Sequence, residues 1–310
     1  MSEKISVAIL GSTGYVGLEL VKILSKHPDV KINFLGTENS PNRSISNFDS
    51  SIIDNNLPLT KLNKDFKYIS ADTVFLALPH GISHEYVKKY YEKIQIIDLS
   101  ADFRLDDFQI YKNNYGDSHS CPNYLNSFIY GLPEFNREKL INCKNIAVPG
   151  CYPTSILLPL LPLISNKLIK DDNIIIDSKS GFSGAGKNFD KDNIIKPSGY
   201  NFYNYNTNHH RHICEIRQEL EKKNKSEVSF SFNPHILPIF RGMMSTIYCD
   251  LNDGIKEDDI TGVFEQLDNN NKFINFRDNE QKADFFIIQN TNNCDLKILK
   301  HYNNSKIIII

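Results

Sequence analysis

Apolar and polar positions in the first half of the chain follow two alternating rhythms. Residues 5–10 (ISVAIL) form a nearly unbroken apolar run, the pattern of a strand buried on both faces. A GSTG turn follows, and then YVGLELVKILSKH sets Val16, Leu20, Val21 and Leu24 at helical spacing. KINFLGT at 31–37 reads as a second strand, and the polar stretch from Glu38 to about Asn56 as loop. DTVFLALP at 72–79 is again a strand, HGISHEYVKKYYEK a helix, and IQIIDLS at 94–100 another strand. Strands alternating with helices in this way predict an α/β fold, a Rossmann-type doubly wound parallel sheet.

The rhythm changes at Cys151. YPTSILLPLLPLI predicts a helix opening at the cysteine, and strand-like runs follow at 173–178, 228–232, 244–251 and 284–288. Helical patterns at 213–223 and 256–267 interrupt them. More strands than helices predict an α+β unit with a mixed sheet, so the expected division is 1–150 and 151–310.

Composition narrows the class of protein without naming a chemistry. The 310 residues suffice for two domains, and 40% apolar with 23% charged residues is ordinary for a soluble globular protein. A net charge of −2 gives no reason to expect a nucleic-acid or anionic-membrane partner. The densest apolar stretch, 156–164, is broken by Pro159 and Pro162 and falls short of the roughly 20 residues a membrane span requires. The N-terminus runs straight into a strand pattern without a signal-peptide layout, so a cytoplasmic protein is expected. Its six scattered cysteines, without CxxC pairs, then read as free thiols.

Two clusters carry candidate chemistry. The first is the turn Gly11-Ser12-Thr13-Gly14-Tyr15-Val16-Gly17, with a strand before it and a helix after it. Glycines there let the backbone approach a pyrophosphate, and the helix N-terminus supplies N–H groups and the positive end of a dipole. A glycine turn that serves only helix–strand packing is the plainer alternative. Glu38, 21 residues past Gly17, would grip a ribose 2′-hydroxyl, whereas Thr37, Ser40 and Arg43 would suit a 2′-phosphate. The residues leave NAD or NADP open.

The second cluster is Cys151 in VPGCYPTS. A thiol at a helix N-terminus is expected to hold more of the reactive thiolate form. A histidine normally accompanies such a thiol, and the segment Asn208-His209-His210-Arg211-His212-Ile213-Cys214-Glu215 offers three. A helix starting near His212 puts Glu215 on the same face, able to orient the imidazole. Zinc binding is the rival reading of so many histidines, but no HExxH or thiolate-ligand spacing supports it, and no metal is expected. DLSADFRL at 98–105 places Arg104 past a strand end, as a phosphate clamp or an ion-pair partner of Asp102 or Asp106. The loop KSGFSGAGK at 179–187, with Ser180, Gly181 and Gly184, can present N–H groups to an anion or a nicotinamide amide. Arg241, at the entry to a strand, is a candidate carboxylate partner or a structural ion pair.

LGSTGYVGLEL, LALPHG, DLSADFRL, YGLPE, PGCYPT, SGFSGAG, HRHICEI and LPIFRGMMSTIY, in that order over about residues 5 to 250, resemble the N-acetyl-gamma-glutamyl-phosphate reductases. These arginine-biosynthesis enzymes are related to aspartate-semialdehyde dehydrogenase. The resemblance implies a Cys151 nucleophile, a thioester and reduction by NADP(H). It further implies His212 paired with the cysteine, Glu215 as that histidine's acidic partner and His210 as a second acid. By analogy Arg104 holds the substrate phosphate, while Leu78, Pro79, His80 and Gly81 match a loop near the cofactor. It favours NADP over NAD and implies a homodimer or homotetramer formed through the second domain, acting on a small acyl phosphate.

The sequence departs from the family at several points. Cys214 stands where a proline is common, Val148 where an asparagine is frequent, and 38–47 matches poorly. Family members commonly continue past the final strand into an IDNLxKGAxGQA segment that helps line the cofactor site, whereas this chain reads NNSKIIII at that point. The resemblance therefore leads one to expect weak NADPH binding and low turnover or solubility of the sequence as given.

Overall fold

The computed structural model describes residues 3–116, 119–278, 280–300 and 305–310. The chain divides into two compact units, Met1–Pro149 and Gly150–Ile310.

The first unit is built on strands β1 (Ile5–Leu10), β2 (Val30–Thr37), β3 (Lys61–Leu62), β4 (Thr73–Leu76), β5 (Gln95–Asp98), β6 (Ile129–Tyr130) and β7 (Asn145–Ala147). They form one sheet in the order β3-β2-β1-β4-β5-β7-β6, and every pairing is parallel. Helices α1 (Tyr15–Leu24), α2 (Ser83–Tyr90), α3 (Phe108–Tyr115) and α4 (Pro133–Ile141) belong to the same unit. The alternating side chains of β1 feed two different cores. Val7 and Ile9 join Leu18 and Val21 of α1, while Ala8 and Leu10 join Val74, Leu76, Val87 and Ile96. Burial on both faces explains why these strands read as unbroken apolar runs. Strand order reverses between β1 and β4, the place where open α/β sheets bind ligands beyond their carboxyl ends.

The second unit opens with α5 (Cys151–Ser165) and continues through β8 (Ile174–Gly181), β9 (Ile195–Lys196), β10 (Gly199–Tyr200), β11 (Tyr203–Asn204), α6 (His212–Asn224), β12 (Phe230–Leu237) and β13 (Met243–Asp250). Then come α7 (Glu257–Asn270), β14 (Ile274–Arg277), α8 (Phe285–Ile288), β15 (Cys294–Lys300) and β16 (Lys306–Ile309). Seven of these strands make a mixed sheet in the order β11-β12-β8-β13-β16-β15-β14. Helix α5 packs against α6, α7 and β13. Its residues from Ile156 to Ile164 are all buried, and this burial holds the helix although Pro159 and Pro162 each remove a backbone hydrogen bond.

Residues 284–288, expected as a strand, are instead the short helix α8. The Asp284 carboxylate accepts the Phe286 N–H at 2.7 Å and caps the turn, which an apolar run alone does not reveal. Among the described residues no helix is long and apolar enough to cross a membrane.

Candidate active site

In the first unit the glycine turn has a distinct structural reason at each end. Gly11 has φ +78°, and a Cβ there would stand 2.2 Å from the Ala77 carbonyl oxygen, so the turns after β1 and β4 touch. A Cβ on Gly17 would meet the Gly11 oxygen at 2.2 Å, which seats α1 against the turn. Gly14 is the N-cap of α1 and makes no such demand, since its nearest contact would be 3.4 Å away. No side chain caps this helix, and a Cβ at Gly14 would meet nothing nearer than the Gly11 oxygen, which leaves room beside the helix N-terminus. That cradle fits a dinucleotide pyrophosphate.

The neighbouring polar groups are partly committed to the protein itself. Ser12 is fully buried and donates to the Gly36 carbonyl at 2.8 Å. Thr13 and Thr37 bring their hydroxyls to 3.2 Å at the end of β2, the strand end at which dinucleotide-binding folds generally read a ribose. Tyr15 is half-buried and Val16 exposed on the first turn of α1. Glu38 and Arg43 are both exposed. Burial first, and then the Glu38 charge, push the Tyr86 hydroxyl above its ordinary range.

Beyond β4, Leu78 is half-buried while Pro79, His80 and Gly81 are exposed. Arg104 is only 9% exposed, and its guanidinium donates through Nε to the Val148 carbonyl at 2.7 Å and through Nη2 to that of Leu99 at 2.9 Å. It thus ties the ends of β5 and β7 together, a role that sequence reading did not give it.

The second unit brings the remaining candidates together across long sequence distances. Cys151 is the first residue of α5 and is exposed, with Gly150 as the extended N-cap. Glu215 is 0% exposed and its Oε1 accepts the Gly150 N–H at 2.8 Å, so the first turn of α6 grips the residue before the thiol. His212 opens α6, and its backbone N–H donates to Nδ1 of His210 at 3.1 Å. That bond leaves the proton of a neutral His210 on Nε2. The Tyr152 ring stands edge-on to both imidazoles, with centroids at 5.4 and 6.0 Å. Burial, followed by the Arg211 charge, pushes His210 down to about 4, so it is neutral at ordinary pH.

Sequence reading missed the hydroxyl pair beside this cluster. Tyr152 and Tyr205 approach to 3.2 Å, and the Cys151 charge is among the smaller causes, after burial, that raise both tyrosines. Tyr152 follows the cysteine directly and was findable, but Tyr205 sits in a run of Asn and Tyr without any motif. At the end of β8, Ser180 is buried and its hydroxyl donates to the Gly181 carbonyl at 3.0 Å. Gly181 is required by the protein backbone, because a Cβ there would lie 2.7 Å from the Phe240 oxygen. A Cβ on Gly184 would meet only the Ser180 hydroxyl, at 3.2 Å. The Arg241 guanidinium lies 5.2 Å from the Phe240 ring centroid, and its carbonyl accepts the Gln289 side chain.

Comparison with known proteins matches these two halves separately. Residues 6–143 match the semialdehyde dehydrogenase NAD-binding domain, and residues 151–310 the semialdehyde dehydrogenase dimerisation domain. The N-acetyl-gamma-glutamyl-phosphate reductase of Ehrlichia chaffeensis is 40% identical over 313 residues, covering 100% of this chain and 90% of that protein. The chain belongs to the N-acetyl-gamma-glutamyl-phosphate reductase family. Another member, from Caldicellulosiruptor bescii, is 39% identical over 322 residues, covering 99% of this chain and 89% of its own. In fold, this reductase-family chain is similar to aspartate semialdehyde dehydrogenase II from Vibrio cholerae, with a TM-score of 0.75 at 16% identity over 99% of this chain and 92% of that one. It is likewise similar to the Candida albicans aspartate semialdehyde dehydrogenase solved with NADP, with a TM-score of 0.66 at 15% identity over 99% and 93% of the two chains.

Proposed function

We propose that the chain is an NADPH-dependent reductase that converts N-acetyl-L-glutamyl 5-phosphate to N-acetyl-L-glutamate 5-semialdehyde with release of phosphate. The observation that carries this reading is the second-unit cluster in which Glu215 holds Gly150 at the head of the Cys151 helix, beside His210 and His212. It occurs in a chain matched end to end by curated reductases.

The Cys151 thiolate attacks the acyl carbon, the C–O bond to phosphate breaks, and phosphate leaves with the bonding pair, giving a thioester. NADPH, when bound, supplies the hydride that reduces this thioester. Collapse of the tetrahedral carbon expels the Cys151 thiolate and leaves the aldehyde. His212, with His210 behind it, exchanges the proton with the sulfur, and Glu215 keeps the helix start in register. Arg104 and Arg241 are the proposed anchors for the substrate's phosphate and carboxylate. The 11–17 turn with Thr37, the 78–81 turn, and Ser180, Gly181 and Gly184 are the proposed NADP(H) contacts. NADP in place of NAD rests on the family, because Glu38 and Arg43 are both exposed at the relevant loop.

The second unit also has a surface suited to self-association. Ile175, Tyr248, Ile308 and Leu299 are cross-strand neighbours on β8, β13, β16 and β15 and form one apolar row. Ile175 and Tyr248 are 47% and 41% exposed, so this face suits a homodimer or a tetramer built from dimers. A cytoplasmic location accords with the biosynthetic role.

The test is the reverse reaction. Supplied with N-acetylglutamate 5-semialdehyde, NADP and phosphate, the protein should generate NADPH absorbance, and Cys151→Ala should not. Activity with aspartate semialdehyde in its place would overturn the substrate assignment.

A further inference from the structure

A buried polar network in the first unit has no role in the steps above. Its centre is Asp102, 0% exposed. Its Oδ1 accepts the Gly81 N–H at 2.8 Å and the Tyr111 hydroxyl at 2.9 Å. Its Oδ2 accepts the same Gly81 N–H at 2.9 Å and faces His84 Nε2 at 3.4 Å. The Asp102 backbone is held as well, its N–H donating to Ser100 Oγ at 3.1 Å and its carbonyl meeting His119 Nε2 at 2.6 Å. Two other segments, 78–84 and 111–115, therefore converge on one carboxylate, while His119 meets the backbone behind it.

Burying a carboxylate is costly, and apolar side chains would pack the same space at lower cost. What this one holds is the informative point. Gly81 has φ +80°, and no atom lies within 4 Å of the position a Cβ would take. Packing therefore does not fix Gly81, and its hydrogen bond to Asp102 does. The other end of the same turn is tied to β1, since Ala77 donates to the Leu10 carbonyl at 2.9 Å and its oxygen abuts Gly11. The 78–81 turn is thus pinned at one end to the glycine turn and at the other to Asp102. Two residues on, Arg104 braces the end of β7 at Val148.

We propose that Asp102 is a positioning residue that sets the 78–81 turn for the dinucleotide, acting through the Gly81 N–H. The inference rests on the cofactor reading above and goes beyond it by giving Asp102 of DLSADFRL a role. His84 Nε2 stands 3.4 Å from the carboxylate, beyond a formed hydrogen bond, and His119 holds the Asp102 backbone carbonyl. Burial lowers both imidazoles, to about 4 for His119. Nδ1 of His84 faces the Ser120 N–H at 3.5 Å, which leaves its proton on Nε2, toward Asp102. An asparagine at 102 must then set its amide N–H groups against a donor, whichever way it is turned.

The experiment measures NADPH dissociation constants by fluorescence titration, together with hydrogen exchange of the Gly81 amide and the KM and kcat for NADPH. Asp102→Asn should raise the dissociation constant and KM by about tenfold, leave kcat at saturation within about threefold, and speed Gly81 exchange. Tyr111→Phe keeps the Gly81 bond but loosens the carboxylate, and should raise the constant by about two- to fivefold. A folded Asp102→Asn protein with unchanged NADPH affinity would overturn the proposal. If that variant does not fold, unchanged affinity and Gly81 exchange in Tyr111→Phe would overturn it instead. A wild-type protein that binds no NADPH would sink the cofactor reading, and the Gly81 exchange comparison would still decide whether Asp102 holds the turn.

Discussion

Glu215→Gln changes one buried oxygen at the head of the Cys151 helix. In the wild type, Oε1 of the fully buried Glu215 lies 2.8 Å from the Gly150 nitrogen. A hydrogen bond to a charged acceptor contributes about 1.5–3 kcal/mol, against about 1 kcal/mol for a neutral one, so glutamine should lose about 1–2 kcal/mol. For a domain the size of the second unit, each kcal/mol moves the melting temperature by about 2–4 °C, giving a fall of roughly 2–8 °C. Glu215→Ala leaves the Gly150 N–H buried and unmatched beside a cavity, and should cost about 3–5 kcal/mol. The N-cap and the thiol are adjacent residues, so both variants should also slow alkylation of Cys151 by iodoacetamide. Thermal melts monitored by circular dichroism, with alkylation rates from peptide mass spectra, read both effects. A Glu215→Gln protein that melts with the wild type and alkylates at the same rate would refute the reasoning.

Other perturbations have equally definite outcomes. His210 titrates at about 4 when folded and near 6.5 when unfolded, so the unfolded chain takes up the proton first as pH falls. Its contribution is full above about pH 6.5 and is lost toward pH 4, at most about 3 kcal/mol, and denaturant melts of His210→Gln against wild type should show that slope reduced. Gly11→Ala must adopt a left-handed backbone, costing about 1–2 kcal/mol before the clash with Ala77 is counted, and should lower the urea midpoint sharply. Gly14→Ala has room in the protein, so its stability should stay within about 1 kcal/mol of wild type while NADPH affinity falls. Ile175→Asp combined with Tyr248→Asp should abolish the proposed self-association in sedimentation velocity, and an unchanged sedimentation coefficient would exclude that face.

The centre of the parallel sheet was legible because strands buried on both faces leave unbroken apolar runs, as in β1 and β4, whereas β3, β6 and β7 have two or three residues each and leave no such run. The second sheet was legible only in part. Residues 284–288 have the apolar content of a strand, and only the Asp284 cap distinguishes the helix that forms. β14 has only four residues, and it pairs in parallel with β15 across 20 positions, as Ile274 with Cys294. In the site, Cys151 and the His210–His212 segment announce themselves through local motifs. Glu215 was read as an acid on the His212 face of its helix, and its hydrogen bond to Gly150, 65 positions away, has no local signal. Asp102 was read only as a possible partner of Arg104, since nothing local signals a bond to Gly81. Tyr205 reaches Tyr152 through the fold and has no signature of its own.

The most direct test of the central claim is to trap the acyl group on Cys151. The protein is mixed with N-acetylglutamyl phosphate without NADPH, quenched in acid, and the peptide carrying Cys151 is weighed. A thioester mechanism predicts one N-acetylglutamyl group on that peptide, one phosphate released per site, and neither in Cys151→Ala. Phosphate release with an unmodified Cys151, or an acyl group on another cysteine, would contradict it.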